Sequence, residues 1–245
     1  MSEGTNLYHC TNSEALLKIL ASGAFYPRFC LEKNNYWGEK EDRDYAYAMV
    51  CFADLLDGEL SQHMERFHAD SYICMKKDWA IRKGLSIVTY YNQGTIESLA
   101  FKKLIDVIQK EKSQNGESDT FINLNGIISL LMMNRKKYEG YYYDKKRKCF
   151  SENMTQFFTE REWRYIPLPK DDEANYILTE EYLNESFRKE KEDGLVAHGL
   201  VLRFTWDDII EIGLSKEIVE SLFLNKLGNI MGITKEEALT KIRYR

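Results

Sequence analysis

The sequence predicts an α+β fold: a mixed, mainly antiparallel sheet with flanking helices. Short apolar runs typical of strands are separated by segments with helical periodicity. Strands and helices do not alternate in a strict βαβ order, and no internal period recurs, which argues against a doubly wound sheet or a solenoid. Neither GxGxxG nor GxxxxGKS/T occurs in the chain. Rossmann enzymes and P-loop NTPases are therefore not expected.

The N-terminal half begins with a predicted strand and then a helix over residues 13–22. Asn12 or Ser13 can cap this helix, and Gly23 ends it. The other predicted strands of this half are apolar runs too short for buried helices, at residues 48–53, 72–75 and 87–91. Two helical connectors are expected beside them, at residues 57–67 and 76–84.

The C-terminal half begins with two consecutive amphipathic helices, predicted at residues 96–112 and 121–138. A strand is predicted from Trp163 to Leu168, where Pro167 and Pro169 end it. The last elements expected are a strand at 200–204 and helices at about 215–225 and 234–243. We expect one domain over residues 1–245, with its parts arranged as a core at 5–170 and 195–212, a helical insertion at about 95–138, and C-terminal helices at 213–245.

The composition is that of an ordinary folded protein, with 44% hydrophobic, 13% aromatic and 30% charged residues. There is no apolar run long enough to span a membrane and no signal peptide pattern after Met1, so a cytoplasmic protein without membrane contact is expected. The five cysteines include no CxxC pair, so no disulfide framework is expected. His63 and His68 lie on different faces of a predicted helix, so no metal site is expected either. A net charge of −5 argues against broad nucleic-acid binding. It does not exclude a nucleic acid as the molecule on which the protein acts.

Two polar-aromatic segments about 150 residues apart are the most informative: LYHCT at 7–11 and FTEREWRY at 158–165. The opening run LYHCTNSEALLKILASGAFYP resembles the first strand and helix of ADP-ribosyltransferase-like proteins. Segments CFADL at 51–55, SYICMKKDWAIRKGLSIVTYY at 71–91 and FFTEREWRYIPL at 157–168 resemble the bacterial family AbiGi, described as the antitoxin of a phage-resistance pair. These resemblances imply a role in phage defence and descent from a fold that binds NAD.

The resemblance to transferases implies NAD as a substrate and assigns roles to particular residues. Expulsion of nicotinamide passes through an oxocarbenium-like state, which a carboxylate must stabilise. Glu162 or Glu160 can do this; because strand side chains alternate, both would share a face with Arg164. Glu162 is preferred because it lies deeper in the strand. His9 would then bond a ribose hydroxyl.

The remaining contacts to NAD are assigned with alternatives. Thr11 belongs to the same first-strand motif, and Tyr45 or Tyr47 would stack on nicotinamide. Arg161 and Arg164 would bind the pyrophosphate. His9 can equally bond a nearby backbone carbonyl with no other role. The charged residues at 160–164 can equally form surface ion pairs on an edge strand.

Two functions remain open. The first is an ADP-ribosyltransferase-like enzyme in which His9 and Glu162 end neighbouring strands over a shared cleft. The alternative is a non-catalytic antitoxin that neutralises a co-encoded toxin by direct binding, and a middle case is an antitoxin that modifies its toxin. The aromatic and basic residues at 141–148 are the best candidates for a contact surface outside this cleft, with either a substrate or a protein partner.

Overall fold

The computed structural model describes residues 6–32, 45–144, 146–168, 175–214, 227–229 and 231–244. The strands of these residues are β1 (Asn6–Thr11), β2 (Ala24–Phe25), β3 (Arg28–Glu32), β4 (Tyr45–Phe52), β5 (Ser71–Lys76), β6 (Ser86–Ile87), β7 (Thr89–Tyr91), β8 (Arg135–Lys137), β9 (Glu139–Gly140), β10 (Tyr143–Asp144), β11 (Cys149–Phe150), β12 (Thr155–Gln156), β13 (Trp163–Tyr165), β14 (Tyr176–Leu178), β15 (Leu202–Arg203), β16 (Ile209–Leu214) and β17 (Ile242–Tyr244). The helices are α1 (Ser13–Ser22), α2 (Leu60–Arg66), α3 (Lys77–Arg82), α4 (Ile96–Asn115), α5 (Asp119–Met133), α6 (Thr179–Leu183), α7 (Glu185–Ala197) and α8 (Lys235–Lys241).

The fold is mixed α+β, as the sequence predicts, and its two larger sheets are mainly antiparallel. The first sheet has the order β1-β5-β16-β17, in which only β16 and β17 run parallel. The second has the order β14-β4-β13-β6, with β3 also paired to β4. The two sheets meet where Tyr8 and Ala53 exchange backbone hydrogen bonds of 2.9 and 2.8 Å. This contact fixes β1 beside the end of β4.

The main core lies between α1, α3 and the two sheets. Asn12 caps α1 by accepting a hydrogen bond from the amide of Ala15 at 2.8 Å, and Gly23 ends it in the left-handed region at φ 61°. The helix then buries the apolar face that its periodicity predicts. The large side chains of this core include Leu16, Leu20, Phe25, Phe52, Trp79 and Trp163.

A helical hairpin, α4 and α5, packs beside this core and has a cluster of its own. Thr95 and Ser118 cap the two helices through their hydroxyl oxygens. Ile105, Ile108 and Ile128 are buried between them. The predicted pair of helices is therefore confirmed.

Several boundaries differ from the prediction because pairing between distant segments decides them. The predicted helix at 121–138 ends at Met133, and residues 135–137 instead form β8, which runs parallel to β7. The predicted helix at 234–243 ends at Lys241, where β17 begins. Two further helices, α6 and α7, are not predicted by the sequence pattern. The helix predicted at about 215–225 lies outside the described residues.

Candidate functional site

The segment before β13 is not the extended strand that the sequence predicts. Residues Phe157–Glu160 form a 3-10 helix, and Arg161 then takes the left-handed conformation at φ 43°. The side chain of Arg161 holds this turn by donating to the carbonyl oxygen of Asp54 at 2.5 Å and pairing with Glu59. The strand begins at Trp163, as predicted, but ends at Tyr165 rather than at Leu168.

Glu162 is nevertheless buried at the centre of a charged cluster. Its two carboxylate oxygens accept hydrogen bonds of 2.8 Å from Arg164 Nε and from Lys136 Nζ. Its amide donates to the hydroxyl oxygen of Tyr90 at 2.8 Å. Burial alone would raise the pKa of Glu162, but the charges of Arg164 and Lys136 outweigh it and hold this pKa well below its usual range. Glu162 is therefore an ionised, fully bonded carboxylate.

The cluster continues on both sides of Glu162 as a row of groups that alternate in sign. Lys136 Nζ also bonds Glu160 at 3.2 Å, and Glu160 accepts from Arg66 at 3.2 Å. At the other end, Arg164 bonds Glu32 at 3.1 Å. We call this row the charge ladder; its members in order are Arg66, Glu160, Lys136, Glu162, Arg164 and Glu32. Three positive and three negative charges leave it neutral.

Lys136 is the member of the charge ladder that joins the two glutamates of the EREWRY segment. Burial alone would lower the pKa of Lys136, but the carboxylates of Glu160 and Glu162 raise it well above its usual value. The ammonium group is therefore permanently charged. Glu160 and Glu162 lie in one environment because Lys136 bonds both of them, and not because they share the face of a strand as the sequence predicts.

His9 lies, partly buried, at the edge of the main core. Its ring packs against Phe25 and Phe52, with centroid distances of 5.1 and 5.5 Å. Nδ1 lies 2.9 Å from the carbonyl oxygen of Cys51, so this nitrogen carries the proton. Burial lowers the pKa of His9, which keeps the ring neutral. This is the backbone-bonded arrangement that the sequence left open as an alternative.

The structure does not bring His9 and Glu162 together in one cleft. Successive side chains of β4 point to opposite faces of the sheet. Phe52, which contacts His9, is paired with Trp163 and faces the main core. Cys51 points the other way and is paired with Arg164, the partner of Glu162. The second sheet therefore separates the histidine from the glutamate.

The other residues expected to bind NAD are spread over different places. Thr11 ends β1 opposite Ser71. Tyr45 and Tyr47 lie on the Glu162 face of β4, where with Tyr176 they line a cleft of about 390 Å³ beneath the α4–α5 hairpin. Tyr47 precedes Cys51 by four residues, which is ~13 Å along a strand. The tyrosines and the central glutamate therefore occupy different parts of one face.

A second cleft, of about 350 Å³, opens at the Arg66 end of the charge ladder. Glu160 and Arg66 form part of its wall, together with His63, Met154 and Thr159. Burial lowers the pKa of His63, which favours its neutral form. We call this cavity the Glu160 cleft. It gives one end of the charge ladder access to solvent.

The described residues show neither a metal centre nor a membrane span. Within them, no three His, Cys, Asp or Glu side chains are grouped so that they could hold a metal ion. Among the helices so described, none has both the length and the apolar character needed to cross a membrane.

Comparison with known proteins places this chain in a class concerned with abortive phage resistance. It belongs to the AbiGi family, whose model, described as "Putative abortive phage resistance protein AbiGi, antitoxin", matches residues 23–215. The resemblance to AbiGi is thereby confirmed. The matched region contains the whole charge ladder but neither His9 nor Thr11.

One curated relative is the "Abortive phage resistance protein AbiGi" of Lactococcus lactis subsp. cremoris. It is 28% identical over 165 residues, which are 63% of this chain and 66% of that protein. No solved structure matches the chain. The resemblance to ADP-ribosyltransferases stays a prediction.

Proposed function

We propose that this protein acts in phage defence as an antitoxin that neutralises a toxin by direct binding, without catalysis. The observation that carries the proposal is the bonding of Glu162. A transferase needs a carboxylate that faces the ribose of NAD. Both oxygens of Glu162 are instead engaged by Arg164 and Lys136, and His9 lies across the sheet. The description of the AbiGi family as an antitoxin supports the same conclusion.

The surface around the Glu160 cleft is the best candidate for toxin contact. Met154 lines the cleft and is exposed, and the exposed Phe67 directly follows Arg66 in the chain. The rings of Phe67 and Tyr142 lie 6.5 Å apart, and Tyr141 beside Tyr142 is also exposed. The neighbouring Arg147 is also exposed. Aromatic residues, methionine and arginine are the residues enriched in protein interfaces. The basic side chain favours an acidic surface on the toxin.

Co-purification with the co-encoded toxin tests this proposal. The affinity of a tagged chain for the toxin is measured for the wild type, for the double variant Phe67→Ala/Tyr141→Ala and for the control Leu183→Ala, which also shortens an exposed apolar side chain. We expect a loss of at least about tenfold in affinity for the double variant, because aromatic side chains dominate interface energies. Unchanged affinity in the double variant would contradict the assigned surface. A toxin that never binds the wild type would contradict the function.

ADP-ribose transfer from NAD is the competing proposal, and one observation favours it: Glu160 borders an open cleft. In this case the toxin itself would be the acceptor. Mass spectrometry of the toxin after co-expression detects the added ADP-ribose, and Glu160→Gln should abolish it. Glu185→Gln serves as the control, because Glu185 is an exposed glutamate paired with Lys148. An unmodified toxin that is still neutralised excludes this mechanism.

A further inference from the structure

The outward face of α5 is uncharged and mainly apolar, with the exposed polar residues Thr120 and Asn123 among its apolar side chains. Four of its large side chains are about half exposed: Ile122 at 54%, Ile127 at 55%, Leu130 at 45% and Leu131 at 46%. The sequence contains no charged residue between Asp119 and Arg135. A helix on the surface of a globular protein normally carries charged or polar residues on its outer face. A large, mainly apolar exposed surface of this kind marks an interaction site.

Gly126 lies midway along this face, and within the described residues no neighbouring atom requires a glycine there. It has ordinary helical backbone angles, and a Cβ atom added there would meet nothing within 4 Å. Glycine in a helix interior destabilises the helix relative to alanine. The absence of a side chain does, however, allow another backbone to approach closely. Gly126 is therefore explained if a second element packs across α5 at this point.

The residues around Gly126 are arranged symmetrically. Gly126 is the eighth of the 15 residues of α5, and Ile122 and Leu130 lie four positions to either side. Residues four apart form a ridge along a helix, so the ridge has the order large, small, large. When such a ridge crosses an antiparallel copy of itself at the glycine, Ile122 of each chain meets Leu130 of the other. This reciprocity is the property of an isologous, two-fold interface.

We propose that the protein forms a two-fold dimer through α5, with a second copy of this chain as the occupant of its apolar face. At roughly 90 Å² of exposed surface each, Ile122, Ile127 and Leu130 of both copies contribute roughly 540 Å², and the intervening backbone and polar residues extend the contact to about 800 Å². This area is that of a weak interface, so the dimer should dissociate in the micromolar range. The face carries no charge, which lets two chains of net charge −5 approach. Antiparallel helix dipoles favour the same orientation.

Sedimentation velocity over about 1 to 200 µM full-length protein tests the dimer, because the interface predicts dissociation within this range. Wild-type protein should shift from monomer to dimer. Ile122→Lys and Leu130→Glu, each alone, should remain monomeric over the whole range, since each places an unpaired charge against an apolar side chain. The double variant Ile122→Lys/Leu130→Glu should dimerise again, because each new lysine then meets a new glutamate. Ile81→Glu, at an exposed position on α3, is the matched control and should dimerise like the wild type.

The double variant separates self-association from other uses of the surface. Within one chain residues 122 and 130 are two turns apart and do not contact each other, so recovery requires the antiparallel pairing. A wild type that stays monomeric throughout overturns the proposal, as do single variants that still dimerise or a double variant that does not recover. If the wild type is monomeric and Leu130→Glu loses binding to the toxin, the face belongs to the toxin and the dimer is refuted. The toxin-binding tests at Phe67 and Tyr141 are independent of this result.

Discussion

Replacement of Glu162 by glutamine tests whether the charge ladder is a structural element. The substitution keeps the size of the side chain and removes its charge. Arg164 and Lys136 then each lose one carboxylate partner, although Glu32 still bonds the arginine and Glu160 still bonds the lysine. The variant therefore retains a partner for every buried cation. Its main defect is an uncompensated positive charge in a buried place.

Removal of one partner from a buried ion pair costs ~3–5 kcal/mol. Because both cations keep a second carboxylate, we expect a value near the lower end, about 3 kcal/mol, for Glu162→Gln. Glu185→Gln is the matched control: it also removes a carboxylate bonded to a lysine, but that pair is exposed. An exposed pair contributes at most about 1 kcal/mol.

Urea unfolding followed by tryptophan fluorescence measures both variants, since Trp79 and Trp163 are buried in the main core. With a urea dependence of about 2.5 kcal/mol per molar, a loss of about 3 kcal/mol lowers the midpoint by roughly 1.2 M. A loss below about 1 kcal/mol, or one equal to that of Glu185→Gln, would refute the structural role assigned to Glu162.

Further predictions concern pH and close packing. The pKa of Glu162 is lowered on folding, so the stability that Glu162 contributes is complete above its unfolded pKa of about 4.3 and is lost as pH falls towards its folded pKa. The difference in unfolding free energy between wild type and Glu162→Gln should therefore shrink between pH 5 and pH 3. A constant difference would contradict this. The pKa of His9 is also lowered on folding, but for a histidine this means that stability falls as pH drops below about 6.5. His9→Phe should weaken this pH dependence, while the part that comes from the lowered pKa of His63 remains. Because the carbonyl of Cys51 then lacks its donor, the variant should also be destabilised by about 1–2 kcal/mol at pH 8 in urea unfolding. A Cβ atom at Gly213 would lie 1.9 Å from the ring of Tyr72, so Gly213→Ala should lower the free energy of unfolding by about 3 kcal/mol in thermal or urea unfolding. At Gly194 in α7 the added Cβ atom has open space, so Gly194→Ala should be neutral or stabilising by up to about 1 kcal/mol. Equal effects of the two substitutions would contradict the packing of β16 on β5.

Elements that depend on local signals could be predicted from the sequence. The bounds of α1 follow from the cap at Asn12 and the left-handed glycine at position 23. The strands β4 and β5 follow from apolar runs, although both are longer than predicted. In each case the residues that fix the element lie within it or beside it, so a short window of sequence contains the signal.

Lys136 was missed because its environment is not local. The apolar periodicity of α5 continues far enough to suggest a helix up to Tyr138, yet pairing with β7 turns residues 135–137 into a strand. That pairing aims Lys136 at Glu160 and Glu162. A tertiary contact of this kind overrides helix propensity, and the sequence around the lysine does not contain it.

The position of His9 illustrates the same limit. Its place on β1 is predictable, since it follows a clear strand pattern. Whether its ring faces a cleft or the core depends on where β1 meets β4, and the contact between Tyr8 and Ala53 sets this. The pairing of Glu162 with Arg164, by contrast, can be predicted from the sequence, because side chains two positions apart on a strand share a face. The distant partners, Lys136 and Glu32, could not be predicted from this pattern.

The charge ladder also has a consequence for how the chain folds. Glu32 and Arg164 are 132 residues apart in sequence, and Arg66 and Glu160 are 94 apart. Contacts of such separation form late, after most of the chain has been ordered. Until then each of these charges remains hydrated, and burying one without its partner is costly. A chain whose second sheet is assembled in the wrong register would have to bury unpaired charges, so the ladder selects against misfolded arrangements that an apolar core alone would tolerate.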